Sequence, residues 1–114
     1  MVKLPGYRRN KYGAKKTPYA GRTFDSGKEA KRYAELLLLQ QGGHIAELEC
    51  QPEYSIVIND HPVCKIRPDF RYLDLATGKR IVEDVKSPAT AKNKEFRLKM
   101  KLLRAVHGVE LAIV

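Results

Sequence analysis

Two short apolar runs joined by a turn, between residues 67 and 86, place the strongest constraint on how this chain can fold. Ile66, Phe70 and Tyr72 alternate with polar neighbours, as in a half-buried strand. A second apolar run follows the turn around Gly78. Because glycine with short polar neighbours is typical of hairpin turns, the stretch predicts an antiparallel β-hairpin.

Charged side chains of this hairpin are expected to meet. Successive strand residues point to opposite faces, so Asp84 and Lys86 project together, whereas Glu83 and Val85 project the other way. Asp69 lies on the partner strand, and folding of the hairpin can bring it beside them. Two carboxylates supply hard oxygen ligands for a divalent cation such as Mg²⁺ or Mn²⁺. The alternative is a cross-strand salt bridge, worth at most about 1 kcal/mol if exposed.

The chain is strongly basic. Its 114 residues suit a single domain, and 22 Lys and Arg against 13 Asp and Glu give a net charge of +9, which favours a polyanionic partner. The first 24 residues hold no acid and seven cations: Lys3, Arg8, Arg9, Lys11, Lys15, Lys16 and Arg22. We predict a basic flexible arm over residues 1–23, ahead of a folded domain over residues 24–114. The arm either neutralises phosphates or is a solvated tail.

Two helices are predicted. The first runs from Ser26 to Gln41, with Ser26 and Glu29 as a capping box. Its apolar face is Ala30, Tyr33, Ala34, Leu37 and Leu38. The second runs from residue 90 to residue 107 and ends at Gly108. Its other faces carry Lys92, Lys94, Arg97, Lys99, Lys101 and Arg104, which either contact DNA or form a solvated face.

The other strands complete the order α-β-β-β-α-β. Alternation between Ile45 and Ile58 predicts one long strand, kinked at Pro52, with Gln51 facing solvent or, alternatively, reaching the edge of the acidic site. The apolar run over residues 109–114 predicts a buried strand, placed parallel to a neighbour by the preceding crossover helix.

Cysteines, histidines and hydropathy exclude several classes of protein. Cys50 and Cys64 fall in strand-like runs and are interpreted as reduced core thiols, and the three histidines lack zinc-site spacing. No apolar run reaches the ~18 residues of a membrane span, and the basic N-terminus lacks the apolar core of a signal peptide. We expect a cytoplasmic protein without membrane association.

Pro68-Asp69 followed by Asp84-Val85-Lys86 resembles the signature of the PD-(D/E)XK nuclease superfamily. The segments S-x-x-E, L-E-C-Q-P, R-P-D-F-R-Y, V-E-D-V-K-S and Y-G-A-K-K together resemble a small phage-encoded branch of it. More distantly, they are similar to transposon-end nucleases and archaeal-type Holliday junction resolvases. The resemblance covers about residues 22–114, and its one noted departure is Asp84, where many relatives have Glu or Gln.

The resemblance implies a single α/β domain with a restriction-endonuclease-like α-β-β-β-α-β core, a mixed central sheet and flanking helices. It also implies a Mg²⁺- or Mn²⁺-dependent endodeoxyribonuclease that hydrolyses phosphodiester bonds. Asp69 is then the bridging metal ligand, Asp84 a second ligand and Glu29 an outer ligand, with the Val85 carbonyl able to complete the site. Lys86 orients or deprotonates the attacking water, or stabilises developing charge.

The expected substrate is branched DNA, such as a Holliday junction, because no sequence-reading module is visible. Symmetric cutting of two strands favours a homodimer. A nicking or repair endonuclease and a non-catalytic DNA-binding module are the alternatives. If the chain is phage-encoded, it acts in the host cytoplasm. The predicted DNA contacts are Arg8, Arg9, Lys11, Lys15, Lys16, Lys92, Lys94, Arg97, Lys99 and Lys101.

Overall fold

The computed structural model describes residues 17–19, 22–24 and 26–114. The hairpin predicted around Gly78, which we call the motif hairpin, lies in the middle of a four-stranded sheet. The elements are β1 (Thr17–Tyr19), β2 (Arg22–Phe24), α1 (Gly27–Gln41), β3 (Ile45–Cys50), β4 (Tyr54–Ile58), β5 (His61–Ile66), β6 (Phe70–Asp74), β7 (Arg80–Asp84), α2 (Pro88–Ala91), α3 (Lys94–His107) and β8 (Leu111–Ile113).

The central sheet is mixed. Its strand order is β3-β6-β7-β8, in which β3-β6 and β6-β7 are antiparallel and β7-β8 is parallel. Helix α3 connects β7 to β8, and a crossover of this length allows the two strands to run the same way. The predicted mixed α/β class is therefore confirmed. Without the two-stranded sheets β1-β2 and β4-β5 and the short helix α2, the element order is α1-β3-β6-β7-α3-β8.

The predicted motif hairpin is confirmed as β6-β7. Phe70 lies opposite Glu83, and Gly78 adopts a positive φ of 71° in the turn. The Gly78 N–H donates to the Asp74 carbonyl at 2.8 Å, which closes the turn. Ile66, which the alternation pattern assigned to this hairpin, instead ends β5, because fully buried Pro68 separates the two strands and has no N–H to donate.

The single long strand predicted over residues 45–58 is wrong. Strand β3 ends at Cys50, Gln51 takes a positive φ of 51°, and Pro52 is buried. Strand β4 then pairs with β5 in a separate two-stranded sheet. The apolar-polar alternation of the sequence continues across this break. It indicates which side chains are buried, but it does not indicate which strand pairs with the segment.

Helix α1 and the central sheet enclose a core cluster, which consists of Phe24, Ala30, Tyr33, Leu36, Ile45, Phe70 and Tyr72. The rings of Tyr33 and Phe70 stack with centroids 6.0 Å apart. Leu36 is fully buried, whereas Leu38, which was predicted to be on the apolar face, is 68% exposed. Four consecutive leucines make the helix phase ambiguous from sequence alone.

Helix α3 packs against β4 and contains the fully buried Leu103. The predicted helix over residues 90–107 is interrupted, because the Asn93 side chain accepts a hydrogen bond from the Phe96 N–H at 3.2 Å and caps a new helix. Gly108 ends α3 with a φ of 68°, as predicted.

The two ends of the described chain differ from the predictions. Strand β8 lies at the edge of the sheet with Ala112 and Ile113 exposed, so it is not the buried strand expected. Strands β1 and β2 form a hairpin against α1, and Phe24 enters the core. The last part of the predicted flexible arm is therefore folded. Residues 1–16, with the predicted DNA contacts Arg8, Arg9, Lys11, Lys15 and Lys16, lie outside the described residues.

Within the described part of the chain no disulfide forms, and Cys50 and Cys64 are half-buried thiols. None of the helices described is long and apolar enough to cross a membrane.

Candidate metal centre

The carboxylates of Asp69 and Asp84 meet at one end of the β6-β7 hairpin, close enough for Asp84 to raise the pKa of Asp69. Pairing of Phe70 with Glu83 places residues 69 and 84 next to each other across the two strands. The Val85 N–H also donates to Asp69 Oδ2 at 2.7 Å. The convergence of the two acids, predicted from strand alternation, is confirmed.

Ionisation of this pair is opposed by its surroundings. The pKa of Asp69 is raised to about 7, first by burial and then by the neighbouring Asp84 carboxyl, despite the opposing hydrogen bond from the Val85 N–H. Asp84 is itself buried. Two adjacent ionised carboxylates repel each other unless a proton or a cation lies between them. The donor set therefore fits a hard divalent cation, which prefers carboxylate oxygens.

Lys86 lies directly beside the acidic pair. Its Nζ is 3.4 Å from Asp84 Oδ2 and 5.4 Å from the centroid of the Phe96 ring on α3. Lys28, on the first turn of α1, donates its Nζ hydrogen to the Lys86 carbonyl at 3.2 Å. Sequence reasoning predicted Lys86 but missed Lys28, which is 58 positions away in the chain and has no pattern linking it to the motif.

Glu29 is buried on the first turn of α1, and its N–H donates to Ser26 Oγ at 3.1 Å, as the predicted cap requires. It borders a cavity of about 230 Å³ together with Thr23, Phe24, Cys50 and Gln51. Among the described residues, no three acid, histidine or cysteine side chains form a group that could hold a metal ion. Glu29 thus does not join Asp69 and Asp84 in such a group, and its role as an outer ligand stays a prediction.

Gln51 connects the Glu29 cavity with the acidic pair. Its N–H donates to the Asp69 carbonyl at 2.9 Å, while the residue also borders the cavity. Its positive φ of 51° is uncommon for a residue other than glycine, asparagine or aspartate. Gln51 is exposed, as the sequence predicts. It also lies at the edge of the acidic site, which is the alternative prediction for this residue.

A buried ion pair on the opposite face of β7 was missed. Arg32 donates to Glu83 through Nε at 2.6 Å and Nη2 at 2.9 Å, and Tyr72 Oη donates to Glu83 Oε2 at 2.8 Å. The Glu83 hydrogen bond raises the pKa of Arg32 above its ordinary value. Burial, followed by the same carboxylate, raises the pKa of Tyr72 to about 12. Strand alternation predicted the direction of Glu83, but it could not identify a partner on α1.

The predicted DNA-contacting residues of the second helix lie on or next to α3. Lys92, Lys94, Arg97 and Lys101 are exposed, and Lys99 is half-buried with its Nζ 3.4 Å from Glu95 Oε1. Lys86 contacts Phe96 on the same helix, so this exposed basic surface adjoins the acidic pair.

The fold and site define a mixed α/β domain with a buried carboxylate pair and an adjacent lysine on its central hairpin. The chain belongs to the family described as "Protein of unknown function (DUF1064)", whose profile matches residues 9–111. Neither the curated proteins nor the solved structures compared with the chain gave a match.

Proposed function

We propose that this protein is a metal-dependent endodeoxyribonuclease of the PD-(D/E)XK type. The observation that carries the proposal is the adjacent pair of Asp69 and Asp84 on the β6-β7 hairpin, with the Lys86 ammonium 3.4 Å from Asp84. The order α1-β3-β6-β7-α3-β8, with a parallel β7-β8 pair, supports a restriction-endonuclease-like core.

Asp69 and Asp84 are the residues that would hold Mg²⁺ or Mn²⁺, with Glu29 and the Val85 carbonyl as further candidates. When bound, such a cation neutralises phosphate charge and lowers the pKa of water. The fit rests on the donor set, because two adjacent buried carboxylates can both be ionised only beside a compensating positive charge.

The chain itself supplies positive charge beside the acids. Contacts with Asp84 and Phe96 hold the Lys86 ammonium in place, where it orients the attacking water or stabilises charge that develops on the phosphate. Lys28 adds a second ammonium through its hydrogen bond to the Lys86 carbonyl. Both lysines also attract the substrate backbone electrostatically.

DNA is the proposed substrate because the exposed cations of α3 adjoin the acidic pair, and phosphate contacts dominate the affinity of such surfaces. Phosphate contacts carry no sequence information, which suits recognition of branched DNA such as a Holliday junction. The alternative activity for the same site is that of a nicking or repair endonuclease.

The test measures cleavage of linear, nicked, flap and four-way DNA by the full chain with Mg²⁺ or Mn²⁺, and with EDTA. Asp69→Asn and Asp84→Asn should each lower the rate more than about 100-fold, since changing residues that merely support a metal ligand already costs about 10–100-fold. Asp60→Asn is the matched control. It makes the same chemical change in an exposed turn, where φ is 65° and asparagine is tolerated.

Equal cleavage by Asp84→Asn and wild type would overturn the assignment of the site. DNA binding without cleavage of any substrate, with either metal, would instead favour the non-catalytic DNA-binding module. Asp84→Asn should retain DNA affinity, because losing a negative charge reduces repulsion of the phosphates.

A further inference from the structure

A groove between helix α3 and the start of strand β8 combines positive charge with apolar surface. This α3-β8 groove has a volume of about 320 Å³ and is lined by Arg97, Met100, Lys101, Arg104, Val109, Glu110 and Leu111. Its apolar residues are half-buried, whereas its three cations are exposed, so the apolar surface lies deeper than the charge. The volume falls at the low end of the roughly 300–1,000 Å³ of small-ligand sites.

The cations of the groove are available to an anion. Arg97, Lys101 and Arg104 follow the i, i+4, i+7 spacing that places residues on one face of a helix. Among the described residues, the side chains of Arg97 and Lys101 have no ion-pair or hydrogen-bond partner. Arg104 Nε is 3.7 Å from Glu110 Oε1, and the two side chains are 73% and 77% exposed. Exposed pairs of this kind are weak and are screened by salt, so an anionic ligand can displace Glu110.

The groove starts beside the acidic pair and leads away from it. Arg97 directly follows Phe96, whose ring centroid is 5.4 Å from Lys86 Nζ. At roughly 1.5 Å per residue, the helix rises about 10 Å between Arg97 and Arg104. A DNA strand covers that distance with about three nucleotides, at roughly 3.4 Å each. The spacing of the cations therefore matches a short stretch of one strand.

A second cavity continues the groove beyond Arg104. Arg104 and Glu110 also border this cavity, which has a volume of about 660 Å³ and whose other walls include Lys79 and Tyr54. Lys79 is exposed. A strand that follows the groove thus next meets a further cation and an aromatic side chain, the combination typical of sites for single-stranded nucleic acid.

The lining of the groove favours an unpaired nucleotide over a duplex. A duplex offers its phosphates to surface cations but keeps its bases stacked on each other, so half-buried apolar side chains would contact nothing. An unpaired nucleotide presents a phosphate and an aromatic face together. The polarisable thioether of Met100 makes favourable contacts with aromatic rings, which suits the deeper part of the groove.

We propose that the α3-β8 groove binds the unpaired strand of a branched DNA substrate, with its cations on successive phosphates and Met100 against a base. The inference rests on the proposed function for the identity of the ligand, and it narrows that function to DNA with a single-stranded arm, such as a flap. Binding in the groove involves none of the acidic pair and requires no metal ion.

Fluorescence anisotropy in EDTA tests the groove, with labelled oligothymidylate of about 12 nucleotides and the same strand annealed to oligodeoxyadenylate. Glu110→Gln should tighten binding of the single strand about two- to fivefold, because Arg104 no longer has a competing carboxylate. Glu95→Gln is the matched control. Glu95 is also 77% exposed and pairs with Lys99 on the same helix, so the variant makes the same change in net charge outside the groove. Equal tightening by the two variants, or equal tightening toward the duplex, would overturn the proposal.

The apolar part of the groove is tested with Met100→Gln, which keeps an unbranched side chain and the net charge. The variant should bind oligothymidylate about two- to tenfold more weakly, the range expected for lost thioether contacts with aromatic rings, and should bind the duplex as wild type does. Leu98→Gln, at a 57% exposed position of α3 outside the groove, should change neither affinity. Melting temperatures confirm that the variants are folded. Unchanged binding by a folded Met100→Gln would contradict the assignment.

Photocrosslinking of wild type to oligothymidylate that contains 4-thiothymidine provides a readout that needs no variant. Crosslinks should map to residues 97–111, and crosslinks confined to other segments would contradict the groove. Oligoglutamate of matched charge should compete at least about tenfold more weakly than oligothymidylate, and equal competition would show a general anion site instead. Because binding is measured in EDTA, failure of the groove and failure of the nuclease activity are separate results. Duplex cleavage by a chain that fails these tests would remove the groove alone.

Discussion

Asp69 occupies a position where the folded chain opposes ionisation. Its pKa rises from 3.8 to about 7, chiefly through burial. Below about pH 4 the carboxyl is protonated in both the folded and the unfolded chain, so burial of Asp69 imposes no cost of ionisation on folding. Between about pH 4 and 7 only the unfolded chain readily loses the proton. The free energy of unfolding therefore falls over this window and levels off above it.

Asp69→Asn should flatten this pH dependence, because the amide keeps a neutral group at the buried position. Urea unfolding in EDTA at pH 5 and pH 8 measures the effect. Wild type should lose more stability between the two pH values than Asp69→Asn does. Asp60→Asn, in the exposed turn, should behave like wild type, and an equal loss in Asp69→Asn would contradict the assignment.

A divalent cation should reverse the instability of the ionised pair. At pH 8, Mg²⁺ or Mn²⁺ at 100 times its dissociation constant should stabilise wild type by about 2.7 kcal/mol, provided that the unfolded chain does not bind it. Thermal melts with and without metal measure the gain. Asp84→Asn should lose it, while Asp60→Asn should retain it. A gain that survives in Asp84→Asn would place the cation elsewhere.

At the scale of the elements, the Arg32–Glu83 ion pair joins α1 to β7. Arg32→Ala should lower the free energy of unfolding by about 3–5 kcal/mol, because it leaves the buried Glu83 carboxylate without its cation. Arg67→Ala is the control, since its exposed pair with Glu53 should contribute at most about 1 kcal/mol. Similar losses in the two variants, measured by urea unfolding, would show that the buried pair has no special role.

The hairpin of β1 and β2 determines where the basic arm can be cut without unfolding the domain. Because Phe24 enters the core and both strands contact α1, a deletion should stop at residue 16. Deleting residues 2–16 removes Lys3, Arg8, Arg9, Lys11, Lys15 and Lys16. If these cations meet phosphates, the slope of log affinity against log salt should shrink by roughly 0.9 for each duplex phosphate that the protein no longer neutralises.

The melting temperature of the deletion variant should match that of wild type, which separates DNA binding from folding. An unchanged salt slope would identify a solvated tail. A variant with the three changes Lys94→Ala, Arg97→Ala and Lys101→Ala provides the comparison, because it removes three exposed cations of α3 and its salt slope can be measured in the same way.

Local patterns in the sequence were sufficient to predict the secondary-structure elements that contain the site. Alternation with a glycine turn predicted β6-β7 and the meeting of Asp69 with Asp84, and a capping serine predicted the start of α1. The break at Gln51, the separate β4-β5 sheet and the partner of Glu83 depend on contacts between distant segments. No periodicity within one segment records those contacts, so the sequence could not supply them.

At the scale of the whole molecule, the sheet separates two kinds of chemistry. The face toward α1 contains the aromatic core and the Glu83 ion pair. Strand alternation directs Asp84 to the opposite face, and the contact of Lys86 with Phe96 ties the acidic pair to α3. The proposed DNA surface and the acidic pair therefore share one side of the domain, while the ion pair braces the other.

The adjacency of Glu83 and Asp84 creates an ambiguity in how β7 can assemble. A slip of one residue would exchange the faces of the two acids, turning Glu83 toward Asp69 and Asp84 toward α1. The hydrogen bonds from Arg32 and Tyr72 suit the longer glutamate in the native register. Arg32, on a helix behind the sheet, thus favours the register in which Asp84, and not Glu83, meets Asp69.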